Sequence, residues 1–279
     1  MGKTSIEWTA TVNTDGTVTP GKTWNPVTGC TKVSQGCKNC YAERLFPRAY
    51  SRECLCSHSV AVHNSADFRP HSPCQAPKCF CVEFRKRTFT NVATHPDRLE
   101  LPLHWRKPAR IFVNSMSDLF HEDVPFEFID EVFAVMGLAW KHRFQILTKR
   151  PEVMRDYSIP NRRHCVVEKM HAIGRDIEEN WSRSQLLAGY AMPGPVFDRM
   201  YEQWPLPNVW LGVSCEDQKT AAERTEHLRN TPAAVRFISY EPALSQVNFN
   251  LTGISWLICG GESGRGARPF DLAWARSAR

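Results

Sequence analysis

Residues 110–148 read RIFVNSMSDLFHEDVPFEFIDEVFAVMGLAWKHRFQILT, and the fold class follows from them. The stretch opens on Arg110-Ile111-Phe112-Val113-Asn114 and closes on Phe144-Gln145-Ile146-Leu147-Thr148, two short runs with strand character. Between them Ile129, Val132, Phe133, Met136 and Trp140 recur at helical spacing on one stripe, which predicts a helix from Glu127 to Trp140. That is a βαβ unit. Three further runs continue the pattern: Val209-Trp210-Leu211-Gly212-Val213, Val235-Arg236-Phe237-Ile238-Ser239 and Ile254-Ser255-Trp256-Leu257-Ile258. Most are continuously apolar, as parallel strands covered on both faces are. Glu216 to Asn230, acidic at its start, is a second predicted helix. The link from Glu241 to Gly253 is just long enough for a parallel crossover, with a hairpin as the alternative.

The 279 residues are enough to bury about three quarters of the unfolded surface in one large domain. Apolar residues at 42% and charged residues at 23% exclude a disordered, collagen-like or coiled-coil chain. No apolar run is long enough for a membrane helix and the first residues lack the apolar stretch of a signal peptide, so a cytoplasmic location is expected. Eleven cysteines in such a chain point to metal or iron–sulfur ligation rather than disulfides. A net charge of +6 is a mild excess over this length. The Pro and Gly residues of 156–207 mark a partly helical insertion. Asp271 is an N-cap for a helix that the sequence leaves short at Arg279, so a truncated last segment is expected.

Each apolar run leads into polar residues: Asn114, Ser115, Ser117 and Asp118, then Thr148, Lys149 and Arg150, then Ser214 to Asp217, then Tyr240-Glu241-Pro242, then Gly260-Gly261-Glu262-Ser263-Gly264. In a parallel sheet the carboxyl ends of all strands lie on one rim, where ligands bind. A shared site containing Asn114, Asp118, Lys149, Glu216, Glu241 and Glu262 is therefore expected, against the alternative that strands simply end in polar turns.

The strongest motif is the loop from Trp24 to Arg44, WNPVTGCTKVSQGCKNCYAER, which places Cys30, Cys37 and Cys40 within eleven residues. Structural zinc takes four protein ligands, and no fourth Cys or His lies nearby. Three thiolates suit a [4Fe–4S] cluster with one iron left open to a cofactor. Zinc completed from a distant residue, or buried free thiols, are the alternatives. A second group, Cys54, Cys56, Cys74, Cys79 and Cys81, falls in residues 50–85 with His58, His63 and His71 between. It reads as an inserted zinc site, an auxiliary iron–sulfur cluster or an unliganded loop. Cys165, Cys215 and Cys259 are isolated and expected to pack as small hydrophobes. Arg85-Lys86-Arg87, Lys141-His142-Arg143 and Lys149-Arg150 are basic patches able to meet phosphates or to stay solvated.

The loop resembles the three-cysteine loop of radical S-adenosylmethionine enzymes, with six and two residues between cysteines where that superfamily has three and two. Gly260-Gly261-Glu262 resembles the segment that holds the methionyl amino group there; two glycines admit close backbone approach, and Glu262 can accept from an ammonium. A closer resemblance is to a phage and prophage three-cysteine-motif family of unknown function, carried by Ser5 to Thr9, Thr23 to Arg44, His95 to Leu99, Ile111 to Pro125, Leu147 to Pro151, Leu206 to Gln218, Ser239 to Leu244 and Ile258 to Pro269. The resemblance implies a partial parallel (β/α) barrel over 1–279. It also implies a [4Fe–4S] cluster on Cys30, Cys37 and Cys40 that cleaves S-adenosylmethionine to a 5′-deoxyadenosyl radical, with Gly260, Gly261 and Glu262 at the cofactor. A nucleic acid or nucleotide is the expected substrate class, with a partner protein encoded nearby. The alternative is a zinc-stabilised nucleic-acid-binding or interaction protein without catalytic activity.

Overall fold

The structure, a computed structural model, describes residues 4, 6–50, 52–54, 84–86, 88–158, 162–180 and 204–278. Its centre is a six-stranded sheet of β1 (Lys22–Trp24), β2 (Arg110–Val113), β3 (Arg143–Thr148), β4 (Val209–Ser214), β5 (Val235–Tyr240) and β6 (Trp256–Cys259). The strands lie in sequence order, and every neighbouring pair is parallel. The five runs legible in the sequence all form strands, within two residues at either end. The link between β5 and β6 is a parallel crossover without a helix, so the hairpin alternative falls. β1 was not legible: three residues, two of them polar, carry no apolar run.

The sheet curls. In a flat sheet at about 4.8 Å per strand, β2 and β5 would lie about 14 Å apart and β2 and β6 about 19 Å. Yet one indole, Trp8, packs on Phe112 of β2 at 4.8 Å between ring centroids, and on Phe237 of β5 and Trp256 of β6 at 6.2 Å each. Trp8 sits in a short 3-10 turn, Glu7–Thr9, that plugs the concave face. Gly212 makes room there, because a Cβ on it would lie 2.5 Å from the Phe237 ring.

Register then decides which side chains point inward. Phe112, Gln145 and Trp210 stand in one rung, and Leu147, Gly212 and Phe237 in the next inward-facing one. The period of two puts Lys149, Ser214 and Ser239 above them, at the carboxyl rim. Thr148 and Arg150, of opposite parity, turn the other way.

The helices are α1 (Tyr41–Tyr50), whose Tyr41 and Leu45 face the carboxyl rim, α2 (Phe126–Leu138), α3 (Pro151–Ser158), α4 (Arg163–Asn180), α5 (Gln218–Arg229) and α6 (Leu272–Ser277). α2 buries Ile129, Val132, Phe133 and Met136 against the sheet and α4. α5 starts at a capping box in which Asp217 accepts from the Thr220 amide. Asp271 caps α6 by accepting from the Ala273 amide at 2.8 Å. At the two ends of the 50–85 segment, the strands Arg52–Cys54 and Phe84–Lys86 pair antiparallel and bring those ends together. Cys56, Cys74, Cys79 and Cys81 lie outside the described residues, as does much of 156–207. No helix among the described residues is long and apolar enough to cross a membrane.

Candidate functional site

The three-cysteine loop is tied to several distant segments of the molecule. Gly29 has φ +90°, and a Cβ on it would lie 2.4 Å from the Asn91 carbonyl oxygen, so the bend before Cys30 needs glycine. Its amide donates to Met116 O beyond β2, and the Cys30 amide donates to Phe89 O at 2.8 Å. The Gly36 amide donates to Glu216 Oε1 beyond β4 at 3.3 Å. Asn39 Nδ2 donates to Glu262 Oε2 beyond β6 at 2.8 Å, and Tyr41 Oη donates to Ser115 O at 2.7 Å. A second set of bonds clasps the far side: Arg44 reaches Ser263 O and Arg265 O, and Arg268 Nη2 reaches Gln35 O.

Beneath this loop, at the carboxyl rim of the sheet, lies a pocket of about 690 Å³, within the range that holds a cofactor or substrate. Trp8, Phe112 and Leu147 form its apolar floor, and Cys40, Lys149, Ser214, Ser239, Glu241, Gly261 and Glu262 its polar wall. Lys149 Nζ donates to Ser214 Oγ at 2.7 Å, and Ser214 Oγ donates to Glu241 O at 3.0 Å. Burial raises the Glu241 carboxyl above the usual carboxylate range, partly countered by a bond from Ser239 Oγ and by Lys149. Gly260 leaves room for the Glu241 carboxyl in its present rotamer, since a Cβ there would lie 2.3 Å from Glu241 Oε1.

The expected rim residues thus divide. Lys149, Glu241, Gly261 and Glu262 line the pocket. Asn114, Asp118 and Glu216 are buried behind it as scaffolding. Asn114 turns the chain at φ 60° and accepts from the Val27 amide. Asp118 accepts from Phe120 N, Thr148 Oγ1 and Lys149 N. Glu216 pairs with Arg224 of α5 at 3.0 Å. Glu262 already accepts four hydrogen bonds, three of them from Arg268 and one from Asn39. Those partners, Arg268 foremost, hold its carboxyl down at about 2. In the patches Lys141-His142-Arg143 and Lys149-Arg150, His142 and Arg150 are neither solvated nor free for phosphate: Arg150 is buried beneath the loop, and His142 is buried against Phe144 and accepts from the Ala109 amide.

Cys30, Cys37 and Cys40 are free, half-buried thiols. Burial pushes the Cys30 thiol up to about 12, opposed by the Arg150 guanidinium. Among the described residues, no three His, Cys, Asp or Glu side chains converge tightly enough to hold a metal ion. The donor set nonetheless suits an iron–sulfur cluster: three unpaired soft sulfur ligands on one pinned loop at a pocket. Cys215 is fully buried and Cys165 and Cys259 half-buried. Sequence reasoning missed Trp8, Asn39, Arg44 and Arg268, whose contacts span up to 248 positions, from Trp8 to Trp256, and leave no local pattern.

Fold and site together define an α/β protein with a ligand-sized pocket at the carboxyl rim of a curled parallel sheet. Residues 3–279 match the family described as "Protein of unknown function (DUF5131)", and the chain belongs to that family. No curated protein and no solved structure matches it.

Proposed function

We propose that the chain is a radical S-adenosylmethionine-like iron–sulfur enzyme on a partial parallel (β/α) barrel, with Cys30, Cys37 and Cys40 as ligands of a [4Fe–4S] cluster. One observation carries the reading: the three-thiol loop overhangs a cofactor-sized pocket at the carboxyl rim, and Cys40 itself lines that pocket. A cluster held by three thiolates, when bound, supplies single electrons and an open iron at which a cofactor docks. The chain's own groups do the rest. Lys149, held by Ser214, turns a positive charge into the pocket and suits the carboxylate of S-adenosylmethionine. Glu241, buried beside it, keeps its proton to higher pH than an exposed glutamate and can donate to a ligand hydroxyl or accept from an amine. Trp8, Phe112 and Leu147 keep the floor dry, which a reactive radical requires. Glu262 serves as the strut between the loop after β6 and the cysteine loop, and a ligand ammonium would share its Oε1 with Arg268.

The test is anaerobic reconstitution with iron and sulfide. The wild type should gain about four iron and four sulfide at this site. Cys37→Ala should lose them, and Cys259→Ala, outside the loop, should not. Zinc without iron in the reconstituted wild type would overturn the reading.

A further inference from the structure

Arg150 is 3% exposed and has every guanidinium nitrogen engaged at the base of the cysteine loop. Nε donates to both Glu122 oxygens at 3.0 Å. Nη2 donates to Thr31 O at 3.1 Å and to Thr31 Oγ1 at 2.7 Å. Nη1 lies 3.4 Å from Cys30 Sγ and 3.5 Å from Asp118 Oδ2. The main chain is fixed as well, since the Arg150 amide donates to Thr148 Oγ1, which donates to Asp118 Oδ1. His121 closes the cage: it accepts from the Asp123 amide at Nδ1, so its Nε2 carries the proton and donates to Thr31 Oγ1.

An ion pair with Asp118 and Glu122 would account for a buried arginine, but not for the placing of Nη1 against the Cys30 sulfur. We propose that Arg150 is a positioning residue for Cys30 as a cluster ligand, holding its Sγ and donating a charge-assisted N–H···S hydrogen bond that raises the reduction potential of the bound cluster. The inference rests on the cluster reading above. Its physics is electrostatic. A reduced cluster carries one more negative charge than an oxidised one, and a nearby donor with positive charge, shielded from water, favours the more negative state. Asp118, as buried as Arg150, opposes it, and Glu122, 58% exposed, opposes it more weakly through solvent, so the effect of the arginine is read by removing it alone.

The experiment is a one-electron optical titration of anaerobically reconstituted wild type, Arg150→Gln, Arg150→Lys and Glu122→Gln, with dithionite as electron donor. At the potential where the wild type is half reduced, Arg150→Gln should show at least a tenfold lower ratio of reduced to oxidised cluster, equivalent to 59 mV for one electron. Arg150→Lys keeps the charge and loses the fork, so it should fall between. Glu122→Gln removes an opposing charge at an exposed position and should move the ratio upward. A wild-type midpoint in Arg150→Gln with iron retained would overturn the proposal. If Arg150→Gln does not fold, a wild-type midpoint in Arg150→Lys with iron retained overturns it alone. Wild-type protein that takes up no iron overturns the cluster reading instead, which separates the two failures.

Discussion

Glu262 shows how much a single side chain can tie together. It joins Arg268 and Asn39, and so the loop after β6 to the cysteine loop. Its carboxyl is depressed to about 2, whereas an unfolded glutamate titrates near 4.3. A lowered folded value means that the stabilisation is complete above about pH 5 and fades as pH falls through 4 toward 2. In urea unfolding at pH 7, Glu262→Gln should be less stable by about 1 kcal/mol, a modest figure because the Arg268 partner is partly exposed. The gap should close by pH 2, and a gap of equal size at both pH values would mean that charge does not hold the clasp. At this scale the sequence was half legible. Gly-Gly-Glu stood out, but its partners are more than two hundred residues away for Asn39 and hidden in a turn for Arg268. Lys149 and Arg150 look alike in sequence, and only the parity of β3 sends one into the pocket and the other beneath Cys30.

Among the elements, the five longer strands and helices α2 and α5 were readable, because each carries its own apolar run or stripe. β1 was not, since Lys22, Thr23 and Trp24 become a strand only through pairing with Ile111, Phe112 and Val113. The turn at Glu7–Thr9 was not either, because its importance lies in where Trp8 goes rather than in local propensity. That turn is the floor of the pocket. Trp8→Ala should cost about 2–4 kcal/mol, somewhat below the usual range for a fully buried indole because this one is only half-buried. The same variant should enlarge the pocket, read as increased binding of an apolar fluorescent probe. Unchanged stability and probe binding would show that the turn is an ornament on the sheet.

Taken whole, the chain gathers its segments around one place. The loop after β1 carries the cysteines, while β3, β4 and β5 supply Lys149, Ser214, Ser239 and Glu241, and the loop after β6 clasps the far side. The expectation of a common rim followed from parallel strands alone. Which rim residues face the pocket did not, because that depends on register and on the buried bonds of Asp118 and Glu216. The central claim is that three thiolates leave one iron open beside this pocket. Electron paramagnetic resonance of the dithionite-reduced, reconstituted protein, recorded with and without S-adenosylmethionine, addresses it most directly. A cofactor that docks at an open iron should change the signal, and Cys37→Ala should give no signal at all. A cluster signal that is identical with and without S-adenosylmethionine would contradict the claim.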